Sequence, residues 1–468
     1  KERLLSGFTT NVLNGLKSFE YKYGLNLQYN LQNNLQYKEN VMPSEIFSMF
    51  LVEVASKING NIYIMIDEYD HFANELLSFQ TDVFEETISK TGFVRKWYEV
   101  LKAGTDKSFI QRIFITGVSP VTMDSLTSGF NIGKNKTRDL RFNECLGFTQ
   151  DEVKNVLKEA LGDAVDVEEE MPVLRKYYNG YLFNEDAVNR IFNSDMVLYY
   201  ASEFGATNSP PKQLIDTNIS SDYKKIANLF TLKNREQNFE VLKEIIEGTT
   251  QKTLITAEFS LAKNFTKDDF KSLLFYLGFL TIDKPDLNEV NLIVPNYVIK
   301  ELYFDFFGEV LSEEAAYDLD VSDIRASIAK VAKYADIKSF IEIVTTTLKK
   351  LSNRDFIQFN EKYVKIIMIT YFMMSRIYYV KSEYEVDNGY IDIALLPRPG
   401  VKAPYNAIFE VKYIKKSEFT KGLLEEKVKS AKEQIAKYVT SPELKEMDNL
   451  LKWVLVFCGD ELLYEERV

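Results

Sequence analysis

Apolar positions recur along this chain with two periods, and the change from one to the other marks the predicted elements. Ser44 to Ile58 (SEIFSMFLVEVASKI) carries apolar residues at helical spacing, with Ser44 placed as its cap. The stretch before it, Asn26 to Asn40, is rich in Asn and Gln and reads as a loop or capping extension. Ile62 to Ile66 is a continuous apolar run ending in Asp67-Glu68, the pattern of a buried parallel strand. A helix near Phe93 to Lys102 precedes a second apolar strand, Ile113 to Thr116. Helical spacing returns in DEVKNVLKEAL, VEEEMPVLRKYY and DAVNRIFNSDMVLYYASEF, and Ser209 to Lys212 (SPPK) breaks the series. Beyond Ser221 come helices, a short strand (LITAEF), the helix DDFKSLLFYLG, a hairpin from Phe279 to Asn296 and the helix YVIKELYFDFF. Residues 312–355 are helical and charged.

The last hundred residues show the clearest change of period. Glu361 to Tyr379 is mostly apolar and free of Gly and Pro, a buried helix. Asn388 to Tyr413 then reads as two strands joined by a loop containing Pro397, Pro399, Gly400 and Pro404. Side chains alternate along a strand, so Ile408, Glu410 and Lys412 share one face, and Ala407, Phe409, Val411 and Tyr413 the other. Asp392 faces away from Ile391 and Ile393. If the strands pair, Asp392 meets Glu410 and Lys412 at one point. Carboxylates on adjacent strands can hold a divalent cation, and a neighbouring lysine can orient a water. Leu424, Val428, Ala431, Ile435 and Tyr438 mark an amphipathic helix, with Gln434 and Tyr438 one turn apart. Trp453 to Phe457 reads as a buried strand.

Length alone suggests two to four domains for 468 residues, and 46% hydrophobic with 27% charged residues is a globular composition. The longest apolar run, around Ile366 to Met374, is far short of the ~20 residues of a membrane span, so no membrane partner is expected. Cys145 and Cys458 stand far apart, which argues for a reducing, cytoplasmic setting. His71 is the single histidine, which nearly excludes histidine triads and His-rich zinc sites. A net charge of −12 opposes simple nucleic-acid binding, but lysines crowd the stretch from Lys412 to Lys432. A solvated helix face would explain that cluster equally well.

The order helix, two or three strands, helix, strand, with the D…ExK residues Asp392, Glu410 and Lys412 and the pair Gln434 and Tyr438, resembles the PD-(D/E)XK nuclease superfamily. The proline that names the superfamily is absent; Tyr390-Ile391 precedes Asp392 instead. Upstream, IDEYDHF, FITGVSPVT and LGFTQDEV look like the AAA-ATPase-like domain that precedes such nuclease domains in bacterial proteins, and YYNGYLF, LLFYLGFLTI and VPNYVIKELY also match that family. In such ATPases the acids at the strand end, here Asp67 and Glu68, hold Mg²⁺ and polarise water. The polar end of the second strand (Thr116, Ser119, Thr122) stands where the γ-phosphate is sensed. No GxxxxGK[ST] occurs in the sequence; GFNIGKNKT, Gly129 to Thr137, is too short and has Asn135 in place of the Ser or Thr. Without that loop the phosphates lose their cradle, and ATP hydrolysis by this chain is not expected. The start at Lys1 rather than Met suggests that the loop was cut off upstream, unless the protein never had it.

The expected fold is α/β and multidomain. A truncated P-loop-ATPase-derived parallel sheet spans 1–148, a helical lid 149–210 and a winged-helix-like domain 211–310. A helical connector spans 311–355, and a restriction-endonuclease-like α/β domain 356–468. The resemblance implies Mg²⁺-dependent (or Mn²⁺-dependent) hydrolysis of a nucleic-acid phosphodiester, DNA ahead of RNA. Asp392 and Glu410 would bind the metal, Lys412 would assist the attacking water, and Gln434 would support the site. Glu361 is the candidate extra metal carboxylate, with Glu383 and Glu385 competing for the role. Asp67, Glu68 and Thr116 would face ATP in a full-length protein, and a homo-oligomer is compatible with this reading. The alternative is a non-catalytic nucleotide-switch regulator whose nuclease-like fold only binds nucleic acid or a protein.

Overall fold

The computed structural model describes residues 2–27, 42–69, 92–118, 132–216, 230, 234–257, 265–315, 320–351 and 360–468. His71, Ser119, Thr122, most of the Asn/Gln-rich stretch and the first part of GFNIGKNKT lie outside these residues. Chain contacts divide the protein into two compact units. One holds residues 1–139, 253–280 and 286–290; the other holds 140–252, 281–285 and 291–468. No described helix is long and apolar enough to cross a membrane.

The first unit is built from α1 (Glu2–Lys22), α2 (Pro43–Lys57), β1 (Ile62–Ile66), α3 (Phe93–Asp106) and β2 (Ile110–Ile115). Pro43 opens α2 with its fixed φ, and the Glu45 carboxylate accepts the Met42 N–H at 3.3 Å. Ser44, expected as the cap, lies instead inside the first turn and is buried. β1 and β2 pair in parallel, Ile64 beside Ile113 and Ile66 beside Ile115. Phe47, Leu51 and Val54 of α2 meet Val94 and Leu101 of α3 in the core of this unit. At Gly104 an added Cβ would lie 2.7 Å from Ile110 Cδ1 and 3.3 Å from Leu51 Cδ1, so a larger residue there would have to displace these side chains. The apolar run of β1 predicts burial on both faces, and the structure corrects this. Tyr63 is 56% and Met65 82% exposed, because α2 and α3 cover only the opposite face of the alternating strand.

Downstream helices are α4 (Gln150–Leu161), α5 (Val167–Tyr178), α6 (Ser194–Thr207) and α7 (Arg235–Ile246). The expected helix DAVNRIFNSDMVLYYASEF forms only from Ser194. Ile191 and Phe192 are spent on antiparallel bridges to Tyr181 and Phe148, and Asn193 caps α6 by accepting Met196 N–H at 3.0 Å. β3 is Gln251–Thr253, ahead of the expected LITAEF, whose last two residues lie outside the described set. α8 (Lys267–Tyr276), β4 (Thr281–Asp286), β5 (Glu289–Ile293) and α9 (Tyr297–Ala315) follow, and the sheet order is β3-β5-β4.

The C-terminal part of the second unit contains α10 (Val321–Tyr334), α11 (Lys338–Leu351), α12 (Glu361–Met374), β6 (Tyr378–Val386), β7 (Gly389–Pro397) and β8 (Asn406–Ile414). It ends with α13 (Lys421–Tyr438), α14 (Pro442–Lys445), β9 (Leu450–Cys458) and β10 (Glu461–Arg467). The helix expected to Tyr379 stops at Met374. Arg376 takes a left-handed φ of 59°, its guanidinium pairs with Glu301 and Asp305, and Tyr378 and Tyr379 enter β6. The five strands run in the order β10-β9-β8-β7-β6, with β8 and β9 parallel and the other pairs antiparallel. Phe372 of α12 packs on Phe409 from one face, with ring centroids 5.3 Å apart. Ala431 and Ile435 of α13 pack on Ile414, Val454 and Val456 from the other. The face bearing Glu410 and Lys412 therefore lies under α13.

Candidate active site

The site forms where the sheet opens. β7 and β8 pair only at Ile393–Phe409, Ala394–Ile408 and Leu395–Ala407, so the ladder stops one step before Asp392 and Glu410 would face each other. The freed backbone amide of Val411 donates instead to the Asp392 carboxylate, at 2.8 Å from Oδ2. A buried N–H that loses its strand partner must find another. On the other side of β7, Ser382 pairs with Ile393 and Tyr384 with Ile391, which leaves Glu383 across from Asp392. Glu383 has φ 47°, a left-handed conformation rare for a non-glycine residue inside a strand.

Three predicted site residues come together here. Asp392 is 7% and Glu410 1% exposed. Lys412 Nζ donates to Glu410 Oε1 at 2.6 Å, while Glu410 Oε2 is buried without a hydrogen-bond partner. Burial first, and the Asp392 charge second, push the Glu410 carboxyl up to about 7 against the pull of Lys412. Gln434 reaches the same face from α13, with Nε2 at 3.5 Å from the Tyr438 hydroxyl and Oε1 buried and unpartnered. Burial, with Glu410 and Asp392 beside it, pushes the Tyr438 hydroxyl up to about 12.

Sequence reasoning missed Lys365. It stands on α12 between Val364 and Ile366, and its Nζ lies 2.8 Å from Asp392 Oδ1 and 2.9 Å from Glu383 Oε1. Burial disfavours its charge, but Asp392 and Glu383 together hold the pKa above the ordinary lysine value. The available signal was one lysine inside an otherwise apolar helix run. Among the described residues Glu361 pairs with Lys365, at 3.7 Å, and it is 38% exposed at its side chain. Glu383 also meets this lysine, while Glu385 faces Tyr390, whose hydroxyl donates to Oε1 at 3.5 Å.

Mg²⁺ or Mn²⁺ fits the donor chemistry through Asp392 and Glu410, since Glu410 Oε2 is a buried carboxylate oxygen with no hydrogen-bond partner, Lys412 being engaged with Oε1. Among the described residues no group of three or more His, Cys, Asp or Glu is placed to hold a metal. Two carboxylates with water or substrate oxygens are a sufficient set for Mg²⁺. Of the lysines in the downstream cluster, Lys416 is paired with Asp460 and Lys432 with Glu466, whereas Lys421 and Lys427 have no carboxylate in reach among the described residues.

In the first unit Asp67 and Thr116 meet at the ends of the parallel strands. Thr116 Oγ1 donates to Asp67 Oδ1, and the Glu68 N–H lies 3.1 Å from the same oxygen and 3.4 Å from Thr116 Oγ1. Glu68 has φ 49°, a local irregularity past which the Tyr69 N–H still reaches the Thr116 carbonyl at 2.9 Å.

Comparison with curated proteins and with solved structures gives no match. Comparison with family models gives two. Residues 3–127 match the predicted AAA-ATPase family, and residues 359–467, which contain the Asp392–Glu410 fork, match the PD-(D/E)XK nuclease superfamily. The chain thus carries an AAA-ATPase-like domain in its first part and a PD-(D/E)XK nuclease superfamily domain at its C-terminal end.

Proposed function

We propose that the C-terminal domain hydrolyses a nucleic-acid phosphodiester with Mg²⁺ or Mn²⁺ held by Asp392 and Glu410. The observation that carries this reading is the Glu410 carboxylate, fully buried beside Asp392 with one oxygen unpartnered. A bound divalent cation would supply Lewis-acid stabilisation of charge on the phosphate and a more acidic water. Asp392 is fixed for its role by the Val411 N–H, which aims the carboxylate into the fork. Lys412, anchored by Glu410, is poised to orient the attacking water and to stabilise developing negative charge. Gln434 offers a neutral polar group from α13 to the same site. Asp67 and Thr116 are proposed to face a nucleotide in the first unit.

A second reading, a regulator that binds nucleic acid or a partner without cutting, is favoured by Lys365. Its ammonium occupies Asp392 as a cation substitute. Cleavage assays separate the two, using plasmid, single-stranded DNA and RNA with Mg²⁺ or Mn²⁺. Lys412→Ala should lose most cleavage and keep metal binding, whereas Asp392→Ala and Glu410→Ala should lose both. A folded wild-type chain that binds metal but cuts none of these substrates selects the regulator; equal residual cutting in every variant indicates a contaminant and rejects the enzyme.

A further inference from the structure

Beside β6 lies a cavity of about 330 Å³ whose lining shares Glu383 with the surroundings of Lys365 but includes none of Asp392, Glu410, Lys412 or Gln434. Three lysines from three elements converge on it: Lys176 from the last turn of α5, Lys300 from the first turn of α9, and Lys381 from β6. Among the described residues none of the three has a carboxylate within ion-pair distance. They rest on rings instead. Lys176 Nζ lies 2.8 Å from the Tyr379 ring centroid, Lys381 Nζ 3.7 Å from that of Tyr384, and Lys300 Nζ 5.9 Å from that of Phe304. Such contacts stabilise a cation less than a carboxylate does once water is removed.

A second observation points the same way. Asn296, 8% exposed, caps α9 through Oδ1, which accepts the Ile299 N–H at 3.1 Å. Its Nδ2 is buried without a partner, and the residue lines the cavity. An unused amide donor thus stands with the positive end of a 19-residue helix beside three cations. Glu383 and Glu385 also line the cavity, but Lys365 holds Glu383, and the Tyr390 hydroxyl donates to Glu385.

We propose that this cavity binds the phosphate of a nucleotide, with Lys176, Lys300 and Lys381 neutralising it and Asn296 Nδ2 donating to a phosphate oxygen. The volume lies in the range of small-ligand sites, and the rings of Tyr379 and Tyr384 offer flat apolar surface for a base or sugar. The phosphate belongs either to the end of a strand or to a free mononucleotide. Burial, then the Lys381 charge, pushes Lys176 down to about 7, and burial alone pushes Lys300 down to about 8. An incoming anion favours the charged forms, so binding above neutral pH takes up protons.

The test is calorimetry on the full chain in EDTA, where divalent metal at Asp392 plays no part and the outcome is independent of cleavage. The probes are inorganic phosphate, 5′-AMP, and one oligonucleotide with a 5′-phosphate or a 5′-hydroxyl end. Phosphate and AMP should bind at millimolar concentration or below, and at about pH 8 the heat should vary with the buffer's ionisation enthalpy because protons are taken up. Lys176→Gln with Lys300→Gln should weaken binding about tenfold or more. Lys381→Gln, on the partly exposed strand, gives the same readout if that pair fails to fold. Preference for the phosphorylated oligonucleotide assigns a strand end, and binding of AMP without that preference assigns a free nucleotide. No binding of any probe to folded wild type, or unchanged binding in folded lysine variants, overturns the proposal.

Discussion

Glu410 and Lys365 carry opposite liabilities at one place. The Glu410 pKa is raised in the fold, so the share of metal-free stability linked to its protonated form is fully present below the ordinary carboxylate range and is lost as pH rises through about 7. Glu410→Gln keeps an acceptor for Lys412 and removes the buried charge. It should raise the stability of the metal-free chain by about 1–3 kcal/mol at about pH 8 and leave it nearly unchanged at about pH 5, read by denaturant unfolding at both values. Mg²⁺ affinity of the wild type should climb through the same interval with release of a proton; a flat pH profile would place the metal elsewhere. Lys365 balances Asp392 and Glu383, all at the fork. Lys365→Met should destabilise the metal-free chain by about 3 kcal/mol, because a buried carboxylate loses its partner. Saturating Mg²⁺ should then restore more stability to the variant than it adds to wild type, by differential scanning calorimetry.

At the scale of elements, the site depends on a sheet that parts locally while staying clamped elsewhere. Pairing of β8 with β9 runs unbroken from Asn406–Leu450 to Ile414–Cys458, so Glu410 and Lys412 sit on a rigid strand. The fork is confined to the β7 side, where the Asp392 side chain takes over a backbone bond. α12 holds that half of the sheet through Phe372, which is fully buried, stacked on Phe340 at 4.2 Å and packed on Phe409. Phe372→Ala should cost about 3–5 kcal/mol by opening a cavity that neither α11 nor β8 can fill. Leu463→Ala on β10, at 37% exposure, should stay within about 0.5 kcal/mol, and a loss as large as that of Phe372 would contradict this packing.

Over the whole molecule, a charge of −12 requires any nucleic acid to be met by a segregated basic surface. Lys421 and Lys427 on α13 are cations of the downstream cluster with no carboxylate in reach among the described residues. Replacing both with Gln should weaken strand binding several-fold regardless of base sequence and flatten its dependence on salt. In the first unit Asp67 and Thr116 meet at the strand ends, but the sequence supplies no phosphate loop to accompany them. ATP should accordingly bind this chain only weakly in calorimetry, and tight binding would require a phosphate cradle of another kind.

The D…ExK pattern was legible because strand periodicity fixes which side chains share a face: Glu410 with Lys412 on one strand, and Asp392 against its apolar neighbours on the other. The helical spacing of Leu424 to Tyr438 and the apolar run at Trp453 likewise located α13 and β9, since both signals are local. Other features depended on chain segments distant in sequence. The halt of α12 at Met374 follows from ion pairs of Arg376 to Glu301 and Asp305. The one-sided burial of β1 follows from which face the helices cover. Lys365, which helical spacing alone did not single out, is a site residue only because α12 lies beside Glu383 and Asp392. Residue spacing along one element determined facing and period. The place where two strands part, and which cation enters the gap, was decided by tertiary packing, because buried charges and unpaired amides select partners by proximity in space.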